Sequence, residues 1–372
     1  MRVLHLQHFV YPYRFPLFEE IARSVQLDVY FCRDKRRGRQ WDVQMPPRRT
    51  FGARILRAFS VGPLTLNPGL LWALRKRYDV YSVAGLDTIT LLQFLQIYLI
   101  SRLRRVPFIL IDEFIDTAYY RTNRRVSYAV NKAIRRIFYQ RIDAFVLWNR
   151  LGLEWAVRLG ARRDRVFCGP QVLANERDGF APDEAERLDA MNAWRGDKKK
   201  VLFVGRLIEL KGIDVLIEAF KKCEDEDIEL VIVGNGPCEA ALREIAGEDH
   251  RISFRGYLEG VQKRDEYKSA DVFVLPSLHE PWGFVVNEAI AWGLPIVATT
   301  AVGSADFLVN GNGYVVQAGD REALGRALQH LLTDREFNQR CREASIRLSQ
   351  QFHIRDMAAP FLDATKRVLH GG

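Results

Sequence analysis

The 372-residue sequence predicts an α/β protein of two open parallel-sheet domains that face each other across a cleft. Three observations carry this. The chain is too long for one ordinary core, and two domains of roughly 150–200 residues are its natural division. Strand-like apolar runs alternate with helix-like amphipathic runs, stop, and then start again. Between the two series the composition changes: residues 1–172 hold 30 Lys+Arg against 13 Asp+Glu, while 173–372 hold 25 against 33.

The first series begins with the strand-like Val3 to Leu6 and a helical pattern from Pro16 to Val25, then the run Leu27 to Phe31. Val80 to Val83, a helix over 88–104, Phe108 to Ile111, a helix over 126–141 and Ala144 to Leu147 continue it. Such alternation argues for a parallel sheet covered on both faces. Residues 33–60, with KRRGR, PPRR and several aromatics, read as a long basic excursion.

Residues 173–199 are acidic and polar and read as a linker, separating an N-terminal domain (1–172) from a C-terminal one (200–354). Alternation resumes with Val201 to Val204, a helix over 212–223, Ile228 to Val233, a helix over 237–246, Ile252 to Phe254, a helix over 261–269 and Val272 to Leu275. A final helical run extends from Arg355 to Leu369. Open sheets of this type bind ligands at the carboxyl ends of their strands.

Composition narrows the class. Hydrophobic content of 48% and charged content of 27% are those of a globular protein. Five scattered cysteines without a C-x-x-C pair argue against a disulfide framework or a zinc site and for a cytoplasmic, reducing setting. The N-terminus lacks a signal-peptide pattern. The most apolar window, Ile89 to Ile100, falls short of the ~20 residues that span a bilayer. The first half, at +17, reads either as a domain facing something anionic (a nucleic acid, a phosphorylated acceptor or an anionic membrane) or as a solvated Arg-rich surface. Tyr128, Ile134 and Phe138, paired with Lys132, Arg135 and Arg136, suit either a helix that lies on the inner face of the cytoplasmic membrane or an ordinary amphipathic core helix.

The chemistry concentrates in the second half. Glu280 and Glu288 flank Pro281 and Gly283, the first after a strand and the second inside a helix. The helix start at Gly283, Phe284 and Val285 offers backbone N–H groups suited to a phosphate. Ionised carboxylates beside such a site suit hydroxyls of a ribose or sugar. Gly205-Arg206 and Lys211-Gly212 follow the first strand of the domain, and their two cations form a polyphosphate clamp. Gly234-Asn235-Gly236 lacks the third glycine of a dinucleotide fingerprint and reads as a simple strand–helix turn. The D-x-D within Glu224 to Asp227 stands before a strand and reads as a solvated acidic turn, so no metal site is expected.

Strung together, Phe203-Val204-Gly205-Arg206-Leu207, Lys211-Gly212, Gly234-x-Gly236-Pro237, Phe254-x-Gly256-Tyr257, Pro276-Ser277-x-x-Glu280-Pro281-x-Gly283-Phe284, Glu288-Ala289 and Asn312-Gly313 resemble the family 4 retaining glycosyltransferases. The resemblance implies the GT-B architecture of two Rossmann-like domains and a hexose moved from a nucleotide-diphosphate sugar to a glycan or lipid-linked acceptor, without metal or other cofactor. It implies that Arg206 and Lys211 hold the diphosphate, Glu288 the ribose and Glu280 a donor-sugar hydroxyl. Gly205, Tyr257, Leu258, Gly283, Phe284 and Val285 would complete the donor site, and the resemblance also implies that the C-terminal helix, 355–372, packs back on the first domain. The first domain instead carries a Tyr-Arg-x-Pro turn and Asp112-Glu113, making His8, Arg14 and Glu113 the acceptor-side candidates. Two other classes remain open on the sequence: a nucleotide-sugar epimerase or hydrolase of the same fold, and a non-enzymatic nucleic-acid binder.

Overall fold

The computed structural model describes residues 1–33, 49–61, 64–86, 90–113, 115–173, 182–192 and 198–370. Of the basic excursion 33–60, residues 34–48 lie outside the described residues. So do 174–181 and 193–197 of the linker segment. The chain divides into two compact units. One comprises 1–116, 123–170 and 354–372, and the other comprises 117–122 and 171–353.

The first unit is built on strands β1 (Arg2–Phe9), β2 (Gln26–Arg33), β3 (Gly52–Ile55), β6 (Val80–Ala84), β7 (Phe108–Asp112), β8 (Ala144–Leu147) and β9 (Val166–Cys168), with a small antiparallel hairpin of β4 (Phe59–Val61) and β5 (Leu64–Leu66). Its seven-stranded sheet runs β3-β2-β1-β6-β7-β8-β9 and every pairing is parallel. β7 and β8 are buried at every position, the mark of a parallel sheet covered on both faces. Strand β3 was not foreseen: its residues Gly-Ala-Arg-Ile carry little apolar signal, and it sits at an exposed sheet edge.

Buried charge fixes one helix to this sheet. Asp112, at the end of β7, accepts from Arg135 Nε at 2.9 Å and Nη2 at 3.2 Å and from the Tyr139 hydroxyl at 2.5 Å. That pins the helix Arg125–Phe138, whose Tyr128, Ile134 and Phe138 pack on the core. The apolar side chains expected to face a membrane therefore face inward. Val126, Val130 and Ile137 are the exposed ones, at 79%, 42% and 55%. The final helix, Ile354–His370, lies in this unit too: Phe361 meets His5 edge-on at 6.2 Å, and a Cβ on Gly169 would come 2.5 Å from Pro360.

The second unit holds β10 (Lys199–Val204), β11 (Ile228–Val233), β12 (Ile252–Gly256), β13 (Val272–Leu275), β14 (Ile296–Thr299) and β15 (Gly313–Val316). Their order is β12-β11-β10-β13-β14-β15, again all parallel. From β10 the chain moves outward to β11, and from β13 outward the other way to β14. The sheet thus reverses direction between β10 and β13, where an open sheet forms a crevice at its carboxyl edge.

Candidate active site

The two loops that leave β10 and β13 meet at that reversal. Leu278 N–H donates to the Leu210 carbonyl at 2.8 Å. Gly212 has φ +60°, and a Cβ there would come 2.4 Å from the Pro276 carbonyl oxygen, so only glycine permits the approach. This contact brings Lys211 to Glu280, and the ammonium donates to the carboxylate in a salt bridge with side chains 14% and 17% exposed. Burial pushes the Glu280 carboxyl up. The Lys211 charge and hydrogen bond, with the Trp282 N–H, override it and hold the group below the ordinary glutamate range.

A second loop braces the first from the other side. Gly205 N–H donates to the Val233 carbonyl at 2.9 Å, Leu207 N–H to Asn235 at 2.8 Å and Cys238 N–H to Leu207 at 3.0 Å. A Cβ on Gly234 (φ +134°) would stand 1.8 Å from the Gly205 oxygen. The Gly234-x-Gly236 turn is thus the bed on which the Gly205–Lys211 loop lies, a role its sequence did not reveal. Arg206 is exposed on this loop.

On the β13 side, Glu280 N–H donates to Ala301 at 3.0 Å and Gly303 N–H to Glu280 at 2.9 Å. Gly283, at φ +92°, caps the helix Phe284–Ala291. Phe284 and Val285 are half-buried in its first turn, where N–H groups and dipole favour an anion. One turn on, Glu288 accepts from Lys263 Nζ and from the Tyr267 hydroxyl, each at 2.7 Å. Tyr257 and Leu258 follow β12. The Tyr257 hydroxyl donates to Glu259, and its own ionisation is pushed up to about 12, by burial first and then by that carboxylate. From β12 to β13 the edge spans about 14 Å, three strand spacings.

The structure therefore gathers all ten donor-side candidates on one unit and one sheet edge, with Lys211 and Glu280 in contact. In the first unit it joins Arg14 to Glu113 by a salt bridge, with Arg14 5% and Glu113 48% exposed, and sets the Arg14 guanidinium over the Trp148 ring at 5.2 Å. His8 is buried within β1 and packs edge-on against Phe9 at 4.2 Å.

Sequence reasoning missed His279, Lys263 and Tyr267. His279 Nδ1 lies 3.0 Å from the Thr117 hydroxyl and its ring stacks on Tyr120 at 5.1 Å, all within the second unit. Burial lowers its pKa to about 4, Glu280 working against the shift and Lys211 with it. The spacing of Lys263 and Tyr267, one helical turn apart, was the available signal. The acidic turn is exposed, and Asp225 Oδ1 accepts the Asp227 N–H at 2.9 Å.

Residues 184–348 match the family model of the glycosyl transferases group 1. That match lies wholly within the second unit. The chain is 33% identical over 244 residues to the D-inositol 3-phosphate glycosyltransferase of Xylanimonas cellulosilytica, covering 60% of this chain and 58% of that one. The chain spans less than two thirds of the length of such curated relatives. Among solved structures it is similar to the sucrose-phosphate synthase of Thermosynechococcus elongatus (TM-score 0.73, 18% identity, all of both chains). It is also similar to Alr3699/HepE of Anabaena in complex with UDP and glucose (TM-score 0.68, 15% identity, 98% of both). The fold is thus GT-B, with a Rossmann-like sheet in each unit.

Proposed function

We propose that this chain moves a hexosyl group from a nucleoside-diphosphate sugar to a glycan or lipid-linked acceptor, with retention at the anomeric carbon and without a metal. The contact of Lys211 with Glu280 at the sheet reversal, beside the helix start at Gly283, carries the reading. Lys211 and Arg206 are the cations that neutralise the diphosphate as its bond to the anomeric carbon breaks, with N–H groups of Phe284 and Val285 sharing the charge. A diphosphate competes for Lys211 and frees Glu280 to accept a hydroxyl of the donor sugar. The acceptor oxygen bonds to the anomeric carbon on the face the phosphate leaves, and its proton passes to the departing phosphate oxygen. Glu280 pairs with a lysine rather than with a second carboxylate, which supports transfer over the paired-carboxylate hydrolysis of glycosidases. Arg14 and Glu113 are proposed to meet the acceptor.

The test is release of nucleoside diphosphate from UDP-, GDP- and ADP-hexoses with and without a lipid-linked oligosaccharide acceptor, and the anomeric configuration of the product by NMR. Acceptor-independent release, or inversion, would overturn the reading.

A peripheral position on an anionic membrane is a second proposal. The helix Arg125–Phe138 has no acidic residue, exposes Val126, Val130 and Ile137, and carries exposed Arg125, Lys132 and Arg136. No helix among the described residues is long and apolar enough to cross a membrane. Flotation with phosphatidylglycerol vesicles at low salt tests it; failure to float, or flotation unchanged by Val126→Asp with Ile137→Asp, counts against it.

A further inference from the structure

Glu288 is held on both oxygens. Lys263 Nζ donates to Oε1 and the Tyr267 hydroxyl to Oε2, each at 2.7 Å, and the carboxylate side chain is 15% exposed. Both donors lie on the helix Gly260–Ser269, which starts just after the Tyr257-Leu258 loop. Tyr267 is fully buried and stacks on Phe273 with ring centres 5.8 Å apart, so its hydroxyl is a fixed point. Burial, then Glu288, pushes the phenol well above its ordinary range, keeping it protonated and a donor. An ionised carboxylate offers about four lone-pair positions. Two are taken by these donors, leaving one on each oxygen.

We propose that Lys263 and Tyr267 are positioning residues that aim the two remaining acceptor sites of Glu288 at the vicinal 2′- and 3′-hydroxyls of the donor's ribose, making this the element that discriminates ribo- from 2′-deoxyribonucleotides. It rests on the reading above that Glu288 meets the ribose. A glutamate has three rotatable bonds, and fixing them from both oxygens removes the rotamer entropy that would otherwise oppose binding. Two free acceptors match two hydroxyls. A 2′-deoxyribose leaves one of them unfilled, and an unfilled buried acceptor lowers affinity for the wrong ligand. A pair that merely fastened two helices together would support ribo- and deoxyribonucleotides equally.

The experiment is calorimetric titration of the full chain with ADP, GDP and UDP and their 2′-deoxy counterparts, using whichever base the unmodified protein binds best. Expected is a preference for the ribo form of ten-fold or more, abolished by Glu288→Ala. Tyr267→Phe and Lys263→Met should each cut that preference at least three-fold by weakening the ribo form, and Lys263→Arg should restore most of it. Both ligands report on the same folded fraction, so partial unfolding of a variant cancels from the ratio. A ratio unchanged in Tyr267→Phe and Lys263→Met, while Glu288→Ala abolishes it, overturns the positioning role alone. No nucleotide binding, or a ratio indifferent to Glu288→Ala, overturns the ribose reading itself.

Discussion

Lys211 and Glu280, 69 residues apart in the chain, form a salt bridge in which neither side chain is more than 17% exposed. The lysine offered to a diphosphate therefore already has an anionic partner, and breaking the pair from one side leaves a buried charge.

Lys211→Ala should accordingly cost about 3–5 kcal/mol of stability, since it strands the carboxylate, while Lys211→Ala with Glu280→Ala costs less than the two singles added. Urea unfolding checks this. Glu280 titrates below its ordinary range when folded, so its contribution is present above the unfolded pKa and is lost as pH falls through the folded one. Glu280→Gln should lower kcat by about 10²–10³.

His5 and His279 set a second acid limit. Burial lowers His5 and His279 from 6.5 to about 4, with the Gln7 contact opposing the shift at His5. Between those values the unfolded chain binds protons that the folded one does not, so stability falls as pH drops from 6.5 toward 4 and is fully present above 6.5. His279→Phe should reduce the slope of unfolding free energy against pH in that window by about 1.4 kcal/mol per unit. An unchanged slope would show that His279 is not neutral in the fold.

Two glycines of positive φ should behave differently. At Gly234 an added Cβ meets the Gly205 oxygen at 1.8 Å, whereas at Gly256 nothing lies within 4 Å. Gly256→Ala should cost only the backbone term, about 1–2 kcal/mol. Gly234→Ala should exceed about 3 kcal/mol and also weaken nucleotide binding, because the displaced bed carries Arg206 and Lys211. Thermal melts with and without ADP, GDP or UDP separate the two effects.

Adjacent acids in the first unit should part ways too. Asp112 is buried against Arg135 and Tyr139, so Asp112→Ala should cost about 3–5 kcal/mol. Glu113 is 48% exposed though its partner Arg14 is buried, and its alanine variant should cost less stability than Asp112→Ala while raising the KM for acceptor. Equal stability losses in the two would contradict this assignment.

What could be read in the sequence follows from the physics of parallel sheets. Strands such as Val272 to Leu275, buried on both faces, appear as unbroken apolar runs, and the glycine-and-charge pattern around them marks the loops. The edge strand Gly52–Ile55 has no such run and stayed hidden. The candidate carboxylates and cations were legible because chemistry restricts which side chains serve them. Their partners were not: the contact of Glu288 with Lys263 spans 25 residues, and the loop-on-loop contact of Gly234 with Gly205 depends on backbone proximity that no local pattern encodes.

The helix Ile354–His370 belongs with strands that were synthesised some two hundred residues earlier. At about 5–20 residues per second, the N-terminal half waits on the order of 10–40 s after leaving the ribosome before its last helix exists. Throughout that interval the surface around His5 and Gly169 that Phe361 and Pro360 will cover is bare. Any C-terminal truncation that reaches Phe361 makes the wait permanent, converting a defect at the chain's end into a folding failure at its beginning.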